Sequence, residues 1–307
     1  MPHWKGALAM LLTDRIQATA FSAGEQTAVD YIMEQKENIR NMTVKEIAGA
    51  CYCAPSTLIR VAHKLGFEGW NALKESFLEE MEYLACQDCG QDANVPFEAG
   101  ETPVGIGETI AALQSESIED TCSMLDALQL HKATVILKNA RIIYLLTLAP
   151  NRELAGMFQA EMLRIGRTVV IADQPLYTAL IMDPQDCAII LSYSGETDSM
   201  VEAGQLLNER KIPFIAISNI GDTSLSRLAQ ASLKMCTREK LYSKIGSFSS
   251  AVSAFYLLYV LYACLFERDY ERNFARKVEI SRQVERVRTT TTSLIQEEPD
   301  PEESPDQ

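Results

Sequence analysis

The sequence predicts a multidomain protein in which an all-α N-terminal domain is followed by an α/β domain with a parallel sheet flanked by helices. The chain has 307 residues, which suits two domains, and 47% of them are hydrophobic, enough to bury a sizeable core. Apolar residues recur at helical spacing up to about residue 82. Between residues 108 and 285, apolar strand-like runs alternate with helical stretches, which is typical of a parallel sheet covered on both faces.

Composition places the domain limits. Residues 1–82 form the predicted helical domain, and residues 83–107, which contain several glycines and prolines, form a predicted linker. Residues 108–285 form the predicted α/β domain. Residues 286–307 are rich in Thr and then in Glu, Asp and Pro, so this acidic tail is expected to be disordered.

The α/β domain is predicted in detail from its apolar runs. The candidate strands are Arg141–Thr147, Thr168–Ala172, Cys187–Ser192, Pro213–Ser218 and Ser232–Cys236. The candidate helices are Glu108–Asp126, Arg152–Ile165, Asp198–Arg210, Leu225–Ala231 and Ser249–Arg268. Residues 251–266, a run of sixteen, are very apolar but shorter than the roughly 20 residues that span a bilayer. We therefore expect no membrane contact, and assign this run to a buried helix or a subunit interface.

The charge balance excludes a protein that is basic overall. Lys and Arg total 28 and Asp and Glu total 42, giving a net charge of −14. A nucleic acid must therefore be bound by a local patch. Residues 54–74 are such a patch, because they hold three Lys or Arg residues against one Glu.

The cysteines point to a reduced, cytoplasmic protein. The eight cysteines have no regular disulfide spacing, and no secretory signal is recognisable at the N-terminus. Cys86 and Cys89 form one C-x-x-C pair, but a structural zinc site needs four ligands and the three histidines are not spaced to supply them. We expect free thiols, no metal and no cofactor.

Residues 42–70 predict two short helices joined by a tight turn. Thr43 and Glu46 form a capping box that starts the first helix, and Pro55 suits the first turn of the second. Only Tyr52–Ala54 lie between the helices. The apolar residues of each helix fall at i, i+3, i+4 and i+7: Val44, Ile47, Ala48 and Cys51 in the first, and Leu58, Val61, Ala62 and Leu65 in the second. This is the layout of a helix-turn-helix.

The opposite face of the second helix predicts a DNA contact. It carries the candidate DNA-binding residues Ser56, Thr57, Arg60, His63 and Lys64. Short hydroxyl groups near a helix N-terminus can approach bases and phosphates, and a long cation can reach guanine or the backbone. The alternative on pattern alone is a helical hairpin with a solvated polar face.

A second candidate site lies where the strand near Ser192 runs into the helix that starts at Asp198. Three hydroxyl residues and a glycine fall within these few positions: Ser192, Ser194, Gly195 and Thr197. Hydroxyl groups and free N–H groups at a helix N-terminus form an anion site. The alternative is a tight turn in which Thr197 caps the helix.

The segment STLIRVAHKLGFEGWNALK, Ser56–Lys74, resembles the N-terminal domain of RpiR-type bacterial transcriptional regulators. The matching positions are Thr57, Arg60 and the run Lys64–Phe67. Such regulators also carry a C-terminal SIS domain, a sheet that binds sugar phosphates. The resemblance covers about residues 8–285.

The resemblance implies a regulator of carbohydrate metabolism genes that is not an enzyme. It implies a homodimer or homotetramer on a palindromic operator in double-stranded DNA, with a sugar phosphate as effector. The effector-binding residues that it implies are Asn151, Arg152, Ser192, Ser194, Gly195, Thr197 and Glu239.

The sequence departs from the family pattern in the pocket. The family's glycine-rich turn after its first strand is replaced here by Thr147–Arg152, which has no glycine. Arg152 would either fill the pocket or pair with a phosphate. The segment Glu239–Ser250 resembles the third ligand-contacting segment, but the Arg and Asp that follow in the family are Ala251 and Tyr259.

Two other functions remain open on the sequence alone. A sugar-phosphate isomerase needs a general base and often a histidine, and Glu239 is the only base that can be placed. In the second, the SIS domain only dimerises and binds no effector.

Overall fold

The computed structural model describes residues 11–87, 92–284 and 294. The acidic tail, apart from Leu294, and the Cys89 thiol lie outside the described residues, and the side chain of Cys86 does too. The N-terminal part is all helical, as predicted. Its elements are α1 Leu12–Ala18, α2 Ala23–Gln35, a 3₁₀ helix Lys36–Asn41, α3 Val44–Ala50, α4 Pro55–Lys64 and α5 Trp70–Gln87.

Local sequence signals fix the helix-turn-helix. The Thr43 hydroxyl accepts a hydrogen bond from the Glu46 N–H, and the Glu46 carboxylate accepts one from the Thr43 N–H. The predicted capping box at the start of α3 is therefore confirmed. Pro55 is the first residue of α4. The predicted apolar faces meet in one core, in which Ile47, Leu58 and the other matching residues are buried.

The second part is a five-stranded parallel sheet between helices, as predicted. The strands are β1 Ile143–Thr147, β2 Val169–Ala172, β3 Cys187–Leu191, β4 Phe214–Ser218 and β5 Ala231–Lys234, in the order β2-β1-β3-β4-β5. The helices are α6 Pro103–Ser123, α7 Ala127–Asn139, α8 Arg152–Arg164, α9 Pro175–Ile181, α10 Asp198–Glu209, α11 Ser224–Leu228, α12 Phe248–Glu267 and α13 Tyr270–Val284. Because all strands are parallel, the loops that follow them lie together at the carboxyl ends of the strands.

The structure differs from the prediction in several elements. The helices α7, α9 and α13 were not predicted, and Ala231 begins a strand where the sequence pattern placed a helix end. Helix α5 extends to residue 87 and α6 begins at Pro103, so both enter the predicted linker. The stretch between them is fastened to the α/β domain, since Asn94 accepts hydrogen bonds from the amides of Ile245 and Lys240.

Helix α12 is both a core helix and a surface helix. One face, which includes Leu257 and Leu261, is buried against the sheet. Among the described residues, α12 is the one helix whose length and composition would allow it to cross a membrane, and 44% of its apolar window is buried inside the protein. Outside this core, α12 carries Phe255 and Tyr259, which are half-buried and whose rings contact each other.

Candidate DNA-binding face and effector site

Helix α4 presents a polar face to solvent. Ser56, Arg60, His63 and Lys64 are exposed, whereas Thr57 is buried. The Thr57 hydroxyl accepts a hydrogen bond from Arg60 at 3.2 Å, so this side chain positions the guanidinium rather than reaching outward. His63 Nε2 lies 3.1 Å from the Glu68 carbonyl.

The exposed cations of α4 share one buried carboxylate. Lys64 Nζ lies 2.6 Å from Glu25 Oε2, and Arg60 Nε lies 4.0 Å from Glu25 Oε1. The hydrogen bond from Lys64, followed by those from Ser22, lowers the pKa of Glu25 to about 2. Glu25 therefore stays ionised at neutral pH and orients both cations at the edge of the polar face.

Two exposed apolar side chains beside this face had no signal in the helical pattern. Tyr52, in the turn between α3 and α4, is 98% exposed and has φ of +52°. Ile59 on α4 is 42% exposed. Both side chains lie close to the proposed DNA contacts, and Tyr52 adopts a left-handed backbone that favours glycine.

The three hydroxyl groups after β3 come together. Thr197 Oγ1 lies 3.2 Å from Ser192 Oγ and 3.5 Å from Ser194 Oγ. Thr197 is the N-cap residue of α10 by position, but its side chain makes no capping hydrogen bond. The hydroxyls therefore face one another in front of the helix N-terminus, where the amides of Asp198 and Ser199 have no acceptor within the helix. We call Ser192–Thr197 the hydroxyl loop.

Close contacts hold the hydroxyl loop in shape. Gly195 has φ of +66°, and a Cβ there would lie 2.5 Å from the Thr223 side chain, so only glycine fits. The Asn219 amide donates to the Ser194 carbonyl at 2.8 Å, and the Ser224 N–H donates to the Glu196 carboxylate at 2.6 Å. The loop after β4 thus supports the loop after β3.

Glu239 lies beside the hydroxyl loop but its oxygens are occupied. Oε1 accepts the Ser249 and Ser250 amides at 2.6 and 3.0 Å, which caps α12. Oε2 accepts from the Ser250 hydroxyl and from Lys244 Nζ at 2.6 and 2.7 Å. With these four donors, Glu239 holds the start of α12 and Lys244 in place.

Tyr193 joins the hydroxyl loop to Glu239. Its hydroxyl donates to the Glu239 carbonyl at 2.7 Å and accepts from the Glu239 amide at 3.1 Å. Burial raises the pKa of Tyr193, so it stays a neutral hydrogen-bonding group. Lys244 Nζ lies 5.3 Å from the centre of the Tyr193 ring, which places a cation near the loop that the sequence pattern did not single out.

Arg152 points away from the hydroxyl loop, toward the β2 side of β1. It is the first residue of α8 and pairs with Asp173, which follows the edge strand β2, whereas the hydroxyl loop follows β3. Arg152 also lines an open cleft of about 490 Å³ along β2, which none of the hydroxyl-loop residues line. Asn151, the residue before α8, makes no side-chain capping bond.

The described residues include no group of three or more His, Cys, Asp or Glu side chains arranged to hold a metal ion. A helix-turn-helix joined to a parallel sheet with a hydroxyl-lined loop defines a class: DNA-binding regulators with a ligand-binding domain.

Comparison with known proteins identifies the family. The family model "Helix-turn-helix domain, rpiR family" matches residues 10–82, and the model "SIS domain" matches residues 152–264. The chain belongs to the RpiR-type transcriptional regulators that carry a SIS domain.

Curated relatives agree with this assignment. The uncharacterized HTH-type transcriptional regulator YbbH of Bacillus subtilis is 26% identical over 250 residues, which cover 80% of this chain and 87% of YbbH. An uncharacterized HTH-type transcriptional regulator of Caldanaerobacter subterraneus is 24% identical over 264 residues, covering 85% and 92%. Relatives named as regulators, with the rpiR-type domain, make this chain a regulator rather than an enzyme.

Solved structures show the same fold. The Vibrio vulnificus NanR protein, complexed with ManNAc-6P, has a TM-score of 0.55 at 21% identity, covering 91% of this chain and 100% of NanR. The sugar isomerase domain of an RpiR transcription factor from Sphaerobacter thermophilus has a TM-score of 0.51 at 18% identity, covering 58% and 98%.

Proposed function

We propose that this regulator binds a phosphorylated sugar with its phosphate at the hydroxyl loop, and that binding changes its affinity for a DNA operator. The main support is that the Ser192 and Ser194 hydroxyls lie within 3.5 Å of the Thr197 hydroxyl in front of α10. The Thr197 hydroxyl is not used as a helix cap. In the capped-turn alternative, that hydroxyl would accept a backbone N–H of the first turn.

The chemistry of the loop suits an anion. The N-terminus of α10 carries about half a positive charge, and its free amides point out of the helix. The hydroxyl groups add donors at the same place. NanR, which has the same fold, was solved with the phosphorylated sugar ManNAc-6P.

The proposed DNA contacts are those of the polar face of α4, with Arg60 as the base-reading cation and Lys64 as a phosphate contact. One helix-turn-helix covers one half-site, so a palindromic operator requires a homodimer or homotetramer. The genes controlled would be those of carbohydrate metabolism, and the protein would act in the cytoplasm.

A thermal-shift panel of sugar phosphates tests the effector. A cognate sugar phosphate at 100 times its dissociation constant should stabilise the protein by about 2.7 kcal/mol. The same sugars without phosphate should have no effect. If no member of a broad panel changes the melting temperature, the effector proposal fails and the SIS domain is left as a dimerisation unit.

Substitution of Ser194 locates that site. Ser194→Ala should weaken the ligand by about 1–3 kcal/mol, since a buried phosphate oxygen loses its donor. Ser199→Ala, in the first turn of α10 but outside the hydroxyl cluster, is the matched control and should bind normally. Unchanged affinity in Ser194→Ala, measured by calorimetry, would place the ligand elsewhere.

Substitution of Arg60 tests the DNA-binding face. Arg60→Ala should cost about 1–3 kcal/mol of specific operator binding if it reads a base. Lys64→Ala should weaken binding to all sequences and reduce the salt dependence. A gel-shift titration in which Arg60→Ala matches the wild type on the native upstream region would show that another face is used.

A further inference from the structure

The helix-turn-helix and the α/β domain are joined by an ion pair that the function above does not use. Arg15, on α1, lies with its guanidinium 2.8 Å from the Asp222 carboxylate, in the loop after β4. The Arg15 side chain is 22% exposed, so this contact is partly screened from water. The two residues are 207 positions apart in the sequence.

On one side, Asp222 belongs to the loop that supports the hydroxyl loop. The same loop contributes Asn219, which donates to Ser194, and Thr223, whose side chain packs against Gly195. The Leu225 amide donates to the Gly195 carbonyl at 3.2 Å. A ligand that moves the hydroxyl loop must therefore also move the loop that carries Asp222, because the two share these bonds.

On the other side, Arg15 contacts Phe67, in the turn that follows α4. Its guanidinium lies 5.0 Å from the centre of the Phe67 ring, a cation–π contact. The Phe67 amide donates to the Ala62 carbonyl at 2.9 Å, which ties Phe67 to the last turn of α4. Arg15 therefore connects Asp222 to Phe67, which lies just after α4 and is hydrogen-bonded to its last turn.

We propose that the Arg15–Asp222 pair transmits the state of the hydroxyl loop to helix α4, and so couples effector binding to operator binding. This inference rests on the proposed function. The route runs from Ser194 to Asn219 by a hydrogen bond, along the loop backbone to Asp222, and from there through Arg15 to Phe67. An ion pair that is still partly exposed to water contributes little to stability, so its loss should remove the coupling without unfolding either domain.

The chain supplies a matched control for this pair. Arg227, on α11, also pairs with Asp222 at 3.2 Å, but it stays within the α/β domain. Arg227→Ala removes a cation from the same carboxylate, along with its hydrogen bonds to the Asp222 carbonyl and the Ser224 hydroxyl, and leaves the link to Arg15 intact. Arg15→Ala removes the link between Asp222 and the helix-turn-helix, together with the contact of Arg15 with the Phe67 ring.

The experiment measures operator affinity of the full chain with and without the sugar phosphate that gives the largest thermal shift. Allosteric ratios of about 5- to 150-fold are usual, and we expect such a ratio for the wild type and for Arg227→Ala. In Arg15→Ala the ratio should fall to within about twofold of one, while the thermal shift persists.

Each contrary result has a distinct meaning. A full ratio in Arg15→Ala, or an equal loss in Arg227→Ala, overturns the coupling while leaving the proposed function intact. If no sugar phosphate changes the melting temperature of the wild type, the proposed function fails. Hydrogen exchange then tests the Arg15–Asp222 contact by itself. Arg15→Ala should then speed amide exchange in residues 219–225, and unchanged exchange there overturns the inference.

Discussion

Single residues decide how the candidate effector site is read, and Arg152 is the clearest case. The sequence left two roles open for it, filling the pocket or pairing with a phosphate. In the structure Arg152 instead pairs with Asp173 at the edge of the sheet. The pair keeps the guanidinium beside β2, on the opposite side of β1 from the hydroxyl loop.

We therefore expect Arg152→Gly to leave sugar-phosphate affinity within about twofold of the wild type, which is under 0.5 kcal/mol. Calorimetric titration of both proteins with the same ligand checks this. A lost response would show that Arg152 binds the phosphate, and a new or stronger response would show that it fills the pocket. Asp173→Asn, which frees Arg152 without removing it, separates a local effect of the ion pair from a contact with the ligand.

Glu25 makes the stability of the N-terminal domain depend on pH. Its pKa falls from 4.5 to about 2 on folding, chiefly through the Lys64 hydrogen bond. A lowered folded-state pKa stabilises the fold above the unfolded value, and this stabilisation is lost as pH falls through the folded value. The contribution of Glu25 is therefore complete above pH 4.5 and disappears between about 4.5 and 2.

Glu25→Gln should accordingly be less stable than the wild type at neutral pH, with a difference that shrinks as the pH falls through this window. Thermal unfolding of both proteins at a series of pH values measures it. Lys64→Met, which removes the main cause of the shift, should show the same trend. A difference that stays constant with pH would mean that Glu25 acts by packing alone.

At the scale of elements, the turn between α3 and α4 carries a local conflict. Tyr52 adopts φ of +52° while its ring is 98% exposed. A left-handed conformation costs an L-residue about 1–2 kcal/mol, and an exposed ring gains no burial in return. Tyr52→Gly should remove this conformational cost. Part of the gain is offset because glycine has more conformational freedom in the unfolded chain.

We expect Tyr52→Gly to raise the free energy of unfolding by about 0.5–1 kcal/mol. Urea denaturation measures the change. Tyr52→Ala keeps the Cβ and loses the ring, so it should stay close to the wild type. If Tyr52→Ala is stabilised as much as Tyr52→Gly, the ring and not the backbone is the cause.

At the scale of the whole molecule, α12 predicts the assembly. Outside the core, α12 carries the contacting rings of Phe255 and Tyr259, which the chain buries only in part, and less than half of its apolar window is buried within the chain. Exposed apolar surface of this kind marks an interface. We expect a dimer or tetramer with part of α12 between the subunits.

Light scattering of the full chain at micromolar concentration measures the assembly. Tyr259→Glu should shift the population toward the monomer and weaken binding to a two-half-site operator, because two helix-turn-helix units then no longer bind together. A monomeric wild type would contradict the interface. Lys211→Glu, just after α10, whose buried residues pack on the other face of the sheet from α12, is the control and should assemble normally.

The sequence by itself determined the parts that depend on local signals. The capping box of Thr43 and Glu46, Pro55 at the start of α4, and the apolar spacing of both helices define the helix-turn-helix without reference to the rest of the chain. The five strands were predicted because buried parallel strands are continuous apolar runs. The hydroxyl loop could also be predicted, because its residues are neighbours in the sequence.

Only the tertiary structure decided which charges and hydroxyls meet. It buried Thr57 under Arg60, paired Lys64 with Glu25 across 39 positions, and turned Arg152 toward Asp173. Hydrophobic periodicity records which face of an element is buried, but it carries no information about which polar partner stands opposite a side chain. That choice is made when helices and loops distant in the sequence pack together.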